Sequence, residues 1–517
     1  MKRKIYSLIL AALACTSSAS AQWNTNATSV CIYPTTGGDE ASSVIAKRLP
    51  DGKTWIGWRT WDKGQELEDG TVKQLYFRNY VQLLDKDGKP VFEEPILVNN
   101  HPSPSWISRY GLDVTPDGCV VVSTADSRGE EADKNDNYNA FQPAFYKIDQ
   151  EGNQLWGLDG ITYPDYQDAP FTRINAIGDD VFVWFNDEKG CFINRISQDG
   201  VEAWEEPVNF YGQLLDTKDG YMMAFDMTGD GSRVRKLDRD LQPVWDNDVI
   251  YDDHMFEGHD LEPYKIVADG KGGAAVAFVR NMGRFAHNIR VQYISADGET
   301  GFGLTGVDVC NTEDNDFDYP GISLNPATEE IMVDFQSKHE DGAEAISLAK
   351  FNYQGDYLFG EMGFQLAKKI PEAYAWTHIG TGGLSNGDWI VAYLDVANWA
   401  DESLIVTRIK PDGTKVWKKT IGRHLDMDAI NMFVEEDATY FYYRERNTEK
   451  EAGVKIFRIF NEKGDYKEPD HSGIETNRST ESAPAEYYTV DGKRLAAAQK
   501  GLNIVKMTDG TVEKVMK

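Results

Sequence analysis

The chain has 517 residues, with 84 Asp and Glu against 53 Lys and Arg and a formal net charge of −31. So acidic a surface repels phosphate backbones and anionic bilayers, which argues against nucleic acid or lipid partners. Aromatic residues are 12% of the chain, too many for a disordered acidic polymer, and 46 Gly against 19 Pro with frequent Asp-Gly pairs indicates a turn-dense all-β protein.

In chain order, the first element is an export leader. Met1-Lys2-Arg3-Lys4 precedes an apolar stretch at 5–15, and Ala19-Ser20-Ala21 supplies a small-residue cleavage site, so residues 1–21 read as a signal peptide. A rival reading makes Ala12-Leu13-Ala14-Cys15 a lipobox. No later run reaches the ~20 apolar residues of a membrane span. The expected location is therefore outside the cytoplasm, secreted or on the outer cell surface, with the periplasm as the alternative. Cys31, Cys119, Cys191 and Cys310 are far apart and form no C-x-x-C pair, so buried free thiols are expected rather than zinc or a redox dithiol.

Residues 22–470 carry a repeat of about 54 residues. A turn phrase recurs in which Asp, Asn or Ser is followed three residues later by Gly and four residues after that by an aromatic. It runs Asp85…Gly88…Phe92, Asp149…Gly152…Trp156, Ser197…Gly200…Trp204, Ser295…Gly298…Phe302, Asn352…Gly355…Phe359 and Lys410…Gly413…Trp417. Asp238…Trp245 is a degenerate copy with Leu241 in place of Gly, and Asn461…Gly464 lacks the aromatic. Each phrase predicts a hairpin, and the aromatic predicts a spacer between units. A second hairpin lies upstream of most phrases, with turns at Asp51-Gly52, Asp117-Gly118, Asp219-Gly220 and Asn386-Gly387. Short apolar runs follow these turns, such as Val120-Val121-Val122, and suit strands buried on both faces.

The unit is thus four strands, A to D. The fold expected is a β-propeller of four-stranded blades, eight in number with seven as the alternative, plus a small C-terminal β tail. The last unit lacks a good D strand after Gly464, whereas Trp23 and Val30-Cys31-Ile32-Tyr33 match the D segments elsewhere. The mature N-terminal strand is therefore expected to close the ring. The expected division is leader 1–21, propeller 22–470, linker 471–485 and C-terminal segment 486–517.

The phrase Asp149-Gln150-Glu151-Gly152-Asn153-Gln154-Leu155-Trp156 resembles the turn motif of quinoprotein-type eight-bladed propellers. That family's Thr before the glycine and its vicinal cysteines are absent, so the resemblance implies the fold and not pyrroloquinoline quinone. Ser197-Gln198-Asp199-Gly200 with Trp204 is similar to a sialidase Asp-box, again a structural turn. In the tail, Tyr487-Tyr488-Thr489-Val490-Asp491-Gly492-Lys493-Arg494 and Lys500-Gly501-Leu502-Asn503-Ile504-Val505 resemble the end of the sorting domains on type IX-secreted Bacteroidetes proteins. That resemblance implies contact with a secretion machinery.

Propeller geometry puts the A–B and C–D turns on one face and the B–C and D–A connections on the other. The second set is long, acidic and aromatic (61–70, 101–110, 126–141, 163–171, 251–264, 311–319 and 373–378), so that face is the expected binding face. His254, His259, Asp260 and Asp318 are the candidates for acid–base chemistry. Asp133, Asn135, Asn137, Asp314 and Asp316 offer alternating oxygen ligands of the kind Ca2+ takes. Trp106, Tyr166, Phe256, Trp376 and Trp399 are candidate platforms for sugar rings. No G-x-S-x-G elbow, H-E-x-x-H helix or P-loop occurs. The expected function is non-catalytic binding of a glycan, peptide or envelope protein. The alternatives are a glycoside- or polysaccharide-cleaving enzyme and an envelope assembly scaffold.

Overall fold

The computed structural model describes residues 22–35, 42–62, 76–99, 101, 103, 110–128, 141–166, 169–228, 231–252, 265–283, 286–310, 316–338, 344–368, 376–398, 401–446, 452–467, 484–489, 493–495, 497, 499–500, 502–507 and 512–516. They are all-β, without a helix among them, so no helix of the described residues is long and apolar enough to cross a membrane. The chain separates into two compact units, 1–467 and 468–517.

The first unit consists of eight antiparallel four-stranded sheets. Blade 1 is typical: A at Ser42–Arg48, B at Thr54–Asp62, C at Tyr76–Leu84 and D at Ile96–Leu97. The A strands of blades 2 to 7 are Gly111–Val114, Phe171–Ile177, Gln213–Asp216, Lys265–Ala268, Asp316–Asn325 and Trp376–Gly383. Blade 8 takes Met427–Val434, Ala438–Glu445 and Ala452–Phe460 as A to C, and its D strand is Val30–Thr35 from the N-terminus. Antiparallel pairing of Val30 with Ile456 and Thr35 with Ala452 closes the ring, as expected.

The blades stack because their B strands have no solvent face. Val120–Ser127 and Ala438–Glu445 are buried along their whole length, which is why these segments read as continuous apolar runs and not as alternation. The buried apolar side chains form eight clusters, each shared by one blade and the next. The cluster at the closure joins Trp23, Tyr440, Tyr442 and Ile456 of blade 8 to Val44, Ile56 and Trp58 of blade 1.

The spacer aromatics do more than fill space. Trp23 donates its indole N–H to the carbonyl of Lys86 at 2.9 Å, Trp156 to Gln198 at 3.4 Å, Trp245 to Ala296 at 3.1 Å and Trp417 to Asn461 at 2.9 Å. Each acceptor is in the C–D turn of the following blade. A cation on strand C reaches the same carbonyl: buried Lys147 Nζ to Gln198 at 3.3 Å, buried Lys236 Nζ to Ala296 at 3.1 Å and half-buried Arg408 Nη1 to Asn461 at 2.9 Å. The cation's other partner is an acid in the A–B turn of its own blade, Asp117, Asp219 or Asp388. One carbonyl thus uses both lone pairs to hold the preceding blade. The aromatic of the phrase does not open strand D. In blades 1, 2, 3 and 5 strand D has two residues and starts downstream, because the aromatic is committed to the next blade.

The turns explain the glycine. Gly298 has φ +84°, and a Cβ there would stand 3.1 Å from the Trp245 ring. Leu241 keeps the same left-handed backbone (φ +61°) without glycine, its half-buried side chain packing on the cluster between blades 3 and 4.

The second unit is a four-stranded sheet in the order Arg494–Leu495, Pro484–Tyr488, Leu502–Met507, Val512–Met516. Asn503 is buried and bonds the backbone of Gln499 in both directions. None of the four described cysteines is in a disulfide; Cys119 and Cys310 are buried, whereas Cys31 and Cys191 are half-buried.

Trp23→Ala should destabilise the protein by about 3–5 kcal/mol, the range for removing a buried Trp. Deleting residues 22–35 should go further, exposing the edge of Ala452–Phe460 and causing aggregation; urea denaturation and light scattering check both. Gly298→Ala should cost about 2 kcal/mol, from the left-handed backbone and the displaced Trp245 ring. In Leu241→Gly the relief of backbone strain and the lost packing nearly cancel, leaving a change within about 1 kcal/mol in the same denaturation assay.

Candidate functional site

Most of the residues singled out on the loop face lie outside the described residues: Trp106, Asp133, Asn135, Asn137, His254, Phe256, His259, Asp260, Asp314 and Trp399. Asp316 and Asp318 do not lie in a free loop. Strand A of blade 6 starts at Asp316, so their backbones pair with Lys338 and Gln336 ahead of a bulge at Gly321. Trp376 opens strand A of blade 7, opposite Asp395. Tyr166 is half-buried, with ring centroids of Phe192 and Phe185 at 4.8 and 5.1 Å and Lys189 Nζ 5.5 Å from its ring centre. Part of its face is thus already used in packing. No group of three His, Cys, Asp or Glu among the described residues is placed to hold a metal ion.

What the described residues bring together on this face is a layer of ion pairs where strands pass into loops. Asp126, at the end of strand B in blade 2, is fully buried. It accepts hydrogen bonds from Thr124 at 2.6 Å, Tyr146 at 2.5 Å and Arg128 at 3.0 Å. Arg128 also donates to the carbonyl of Asp159 at 2.6 Å, which ties two connections together. Arg59, buried beside this group, bonds Asn79 at 3.2 Å and stands over the Phe77 ring. Burial lowers its guanidinium to about 10, against the pull of Tyr110 and Asp126.

A second group forms between blades 7 and 8 because the crossover there is one residue long. Strand D of blade 7, Lys415–Leu425, passes through Asp426 directly into Met427–Val434. That sets Asp426 and Asp428 beside Glu402, which pairs with Leu425 and accepts the Met427 N–H at 2.7 Å. Arg446 binds Asp426 at 2.6 Å, and Arg444 binds Asp428 at 2.9 Å. Burial pushes the Glu402 carboxyl up to about 7. Asp426 and Asp428 add to the rise, while the Met427 N–H and Arg446 oppose it. Asp428 is raised as well, first by burial, with Arg444 and Arg446 countering. A buried carboxylic acid titrating near neutrality, flanked by carboxylates and arginines, is equipped for proton transfer.

Sequence reasoning missed both groups and the strand-C cations. The cations had a signal: Lys147, Arg195, Lys236, Lys350 and Arg408 each stand two residues before the turn phrase. The ionic groups had none, since their members come from separate strands.

No known protein family matches the sequence, and no curated protein does. Among solved structures, a polysaccharide lyase, Uly1, superposes with a TM-score of 0.41 at 10% identity, over 87% of this chain and 95% of that one. A protein of unknown function from Dyadobacter fermentans gives 0.37 at 12% identity, over 84% and 98%. Puromycin hydrolase gives 0.35 at 12%, over 95% of this chain and 62% of that one. Likeness this remote assigns no activity.

Glu402 makes stability depend on pH in a defined direction. The folded chain holds its proton up to about pH 7, whereas the unfolded chain releases it near 4.5. Its contribution is complete below pH 4.5 and is lost as pH rises through 7. Glu402→Gln keeps an acceptor for Met427 and removes the loss. Between pH 5 and 8 its stability should gain on the wild type by as much as about 3 kcal/mol, read by urea denaturation at each pH.

Proposed function

We propose that this chain is an exported, non-catalytic β-propeller that binds a glycan, peptide or envelope partner through the loops of its B–C and D–A face. The observation that carries the reading is the ion-pair layer at the base of those loops. Ion pairs add little net stability, a buried charge losing its hydration and a part-exposed pair being screened by water, so the buried Asp126 with Arg128 and the part-exposed Asp426–Arg446 pair are better suited to fixing loop bases than to holding the ring. Fixed bases lower the ordering cost of binding. The leader at 1–21 and the sorting-like segment at 486–517 support a location on the outer cell surface.

A second reading, a glycoside- or polysaccharide-cleaving enzyme, is favoured by one observation, the near-neutral Glu402 beside Asp426 and Asp428. His254, His259, Asp260 and Asp318 are further acid–base candidates for it.

Arrays of glycans and of surface peptides, probed with the full chain, test the first reading. The expected result is binding without turnover, lost when residues 129–140 are replaced by a short Gly-Ser linker and retained in Glu402→Gln. Turnover of a bound glycan, abolished in Glu402→Gln or in a His259→Ala, Asp260→Ala variant, would establish the second reading instead. Removing residues 484–517 should leave the thermal transition of the propeller in place and mislocalise the protein.

A further inference from the structure

On the turn face, the A–B hairpins of blades 1 to 4 frame a cavity of about 710 Å3, within the range of sites that hold small ligands. Its polar lining includes Arg48, Asp51, Asp117, Gln150, Lys218 and Arg239. Most charges in and around it are paired with an opposite charge, while Arg239 donates to the carbonyls of Ile177 and Gly220. Asp51 meets Lys53 at 3.1 Å, Asp117 meets Lys147 at 3.2 Å, and Lys218 meets Asp216 at 2.9 Å. Arg48 is paired with Glu435, and Gln150 accepts Lys53 at 2.6 Å. Pairing does not remove these groups from solvent: the side chains of Asp51 and Asp117 are 50% and 49% exposed, and that of Lys218 is 64% exposed.

Three features restrict what fits. The lining holds three carboxylates, Asp51, Asp117 and Asp216, and three cations, Arg48, Lys218 and Arg239, so a polyanion or polycation would meet repulsion as well as attraction. A vicinal diol, by contrast, can donate to the carboxylate and accept from the ammonium of one pair. Secondly, the hairpin tips satisfy their own backbone: Leu49 with Lys53, Gly52 with Leu49, Thr115 with Cys119 and Gly118 with Thr115. No strand edge is offered here for an extended peptide. Thirdly, Leu49, Pro50, Val114, Pro116 and Ala176 supply the nonpolar part of the wall.

Lys218 sharpens the reading. It has φ +66°, a backbone that disfavours any side chain, at the turn position where blades 1 and 2 carry Pro50 and Pro116. Proline cannot take that conformation. The blade 4 turn therefore differs from its counterparts in backbone as well as in residue, and it places a mostly exposed ammonium at the cavity lip.

We infer that this cavity is a binding site for a neutral oligosaccharide. The site is independent of the loop-face reading, being built by the opposite set of connections.

The test is calorimetric titration of the full chain with neutral glucan, mannan and xylan hexamers, alongside oligogalacturonate and chitosan hexamers as charged probes. At least one neutral hexamer should bind, and the charged ones should bind more weakly. Lys218→Gly suits the left-handed backbone and so preserves the fold, and Gln150→Ala removes a second polar partner. Each should weaken binding about tenfold, the effect of losing one hydrogen bond, with an unchanged thermal transition. Failure of every neutral hexamer to bind, or tighter binding of a charged one, would overturn the inference. So would unchanged affinity in the Lys218→Gly, Gln150→Ala double variant. Replacing residues 129–140 should leave this affinity intact, which separates the result from that of the loop-face experiment.

Discussion

The fold depends on one kind of acceptor, a carbonyl at the start of the C–D turn. At Gln198, Ala296 and Asn461 it receives an indole N–H and a strand-C cation from the preceding blade. A turn carbonyl is a strong acceptor that cannot be left buried without a partner, and here its partners belong to the neighbouring blade. Local turn geometry thereby becomes long-range order. The left-handed glycine aims the carbonyl and leaves room for the indole, the indole fixes the distance between sheets, and the cation links the turn to an acid in its own blade. At the closure the same relation joins the two ends of the propeller chain, with Trp23 bonding Lys86 and Arg458 standing over the Trp23 ring.

What was legible in the sequence is what the backbone demands locally. A glycine at positive φ and an aromatic four residues later are fixed by the turn and its neighbour, so they recur at constant offset and reveal the repeat. The missing D strand of the last blade was legible for the same reason, since Trp23 and Val30 to Tyr33 bear the imprint of that position. The cations at Lys147, Lys236 and Arg408 carry equal structural weight. They too stand at a constant offset, two residues before the phrase, but a single charge at that offset stands out little in a chain with 26% charged residues. The Glu402 group was illegible on other grounds. Its members lie on three strands of two blades, and only the one-residue crossover at Asp426 brings them together.

The two faces of the ring are chemically distinct as a result. Hairpin tips on the turn face hold mostly paired, half-exposed charges over a backbone that satisfies itself. Strand ends on the loop face hold desolvated charges, with Asp126 fully buried and Glu402 shifted toward neutrality. One face suits reversible contact with a hydroxyl-rich, uncharged ligand. The other leads into long connections of acidic and aromatic composition.

The most direct measurement is hydrogen exchange followed by mass spectrometry on the full chain, at denaturant concentrations approaching the unfolding midpoint. If turn carbonyls lock each blade to the next around a closed ring, amides of the B strands in all eight blades should lose protection together, at one free energy. Loss of protection in blades 1 and 8 while blades 3 to 6 stay protected would contradict a ring held shut at Trp23.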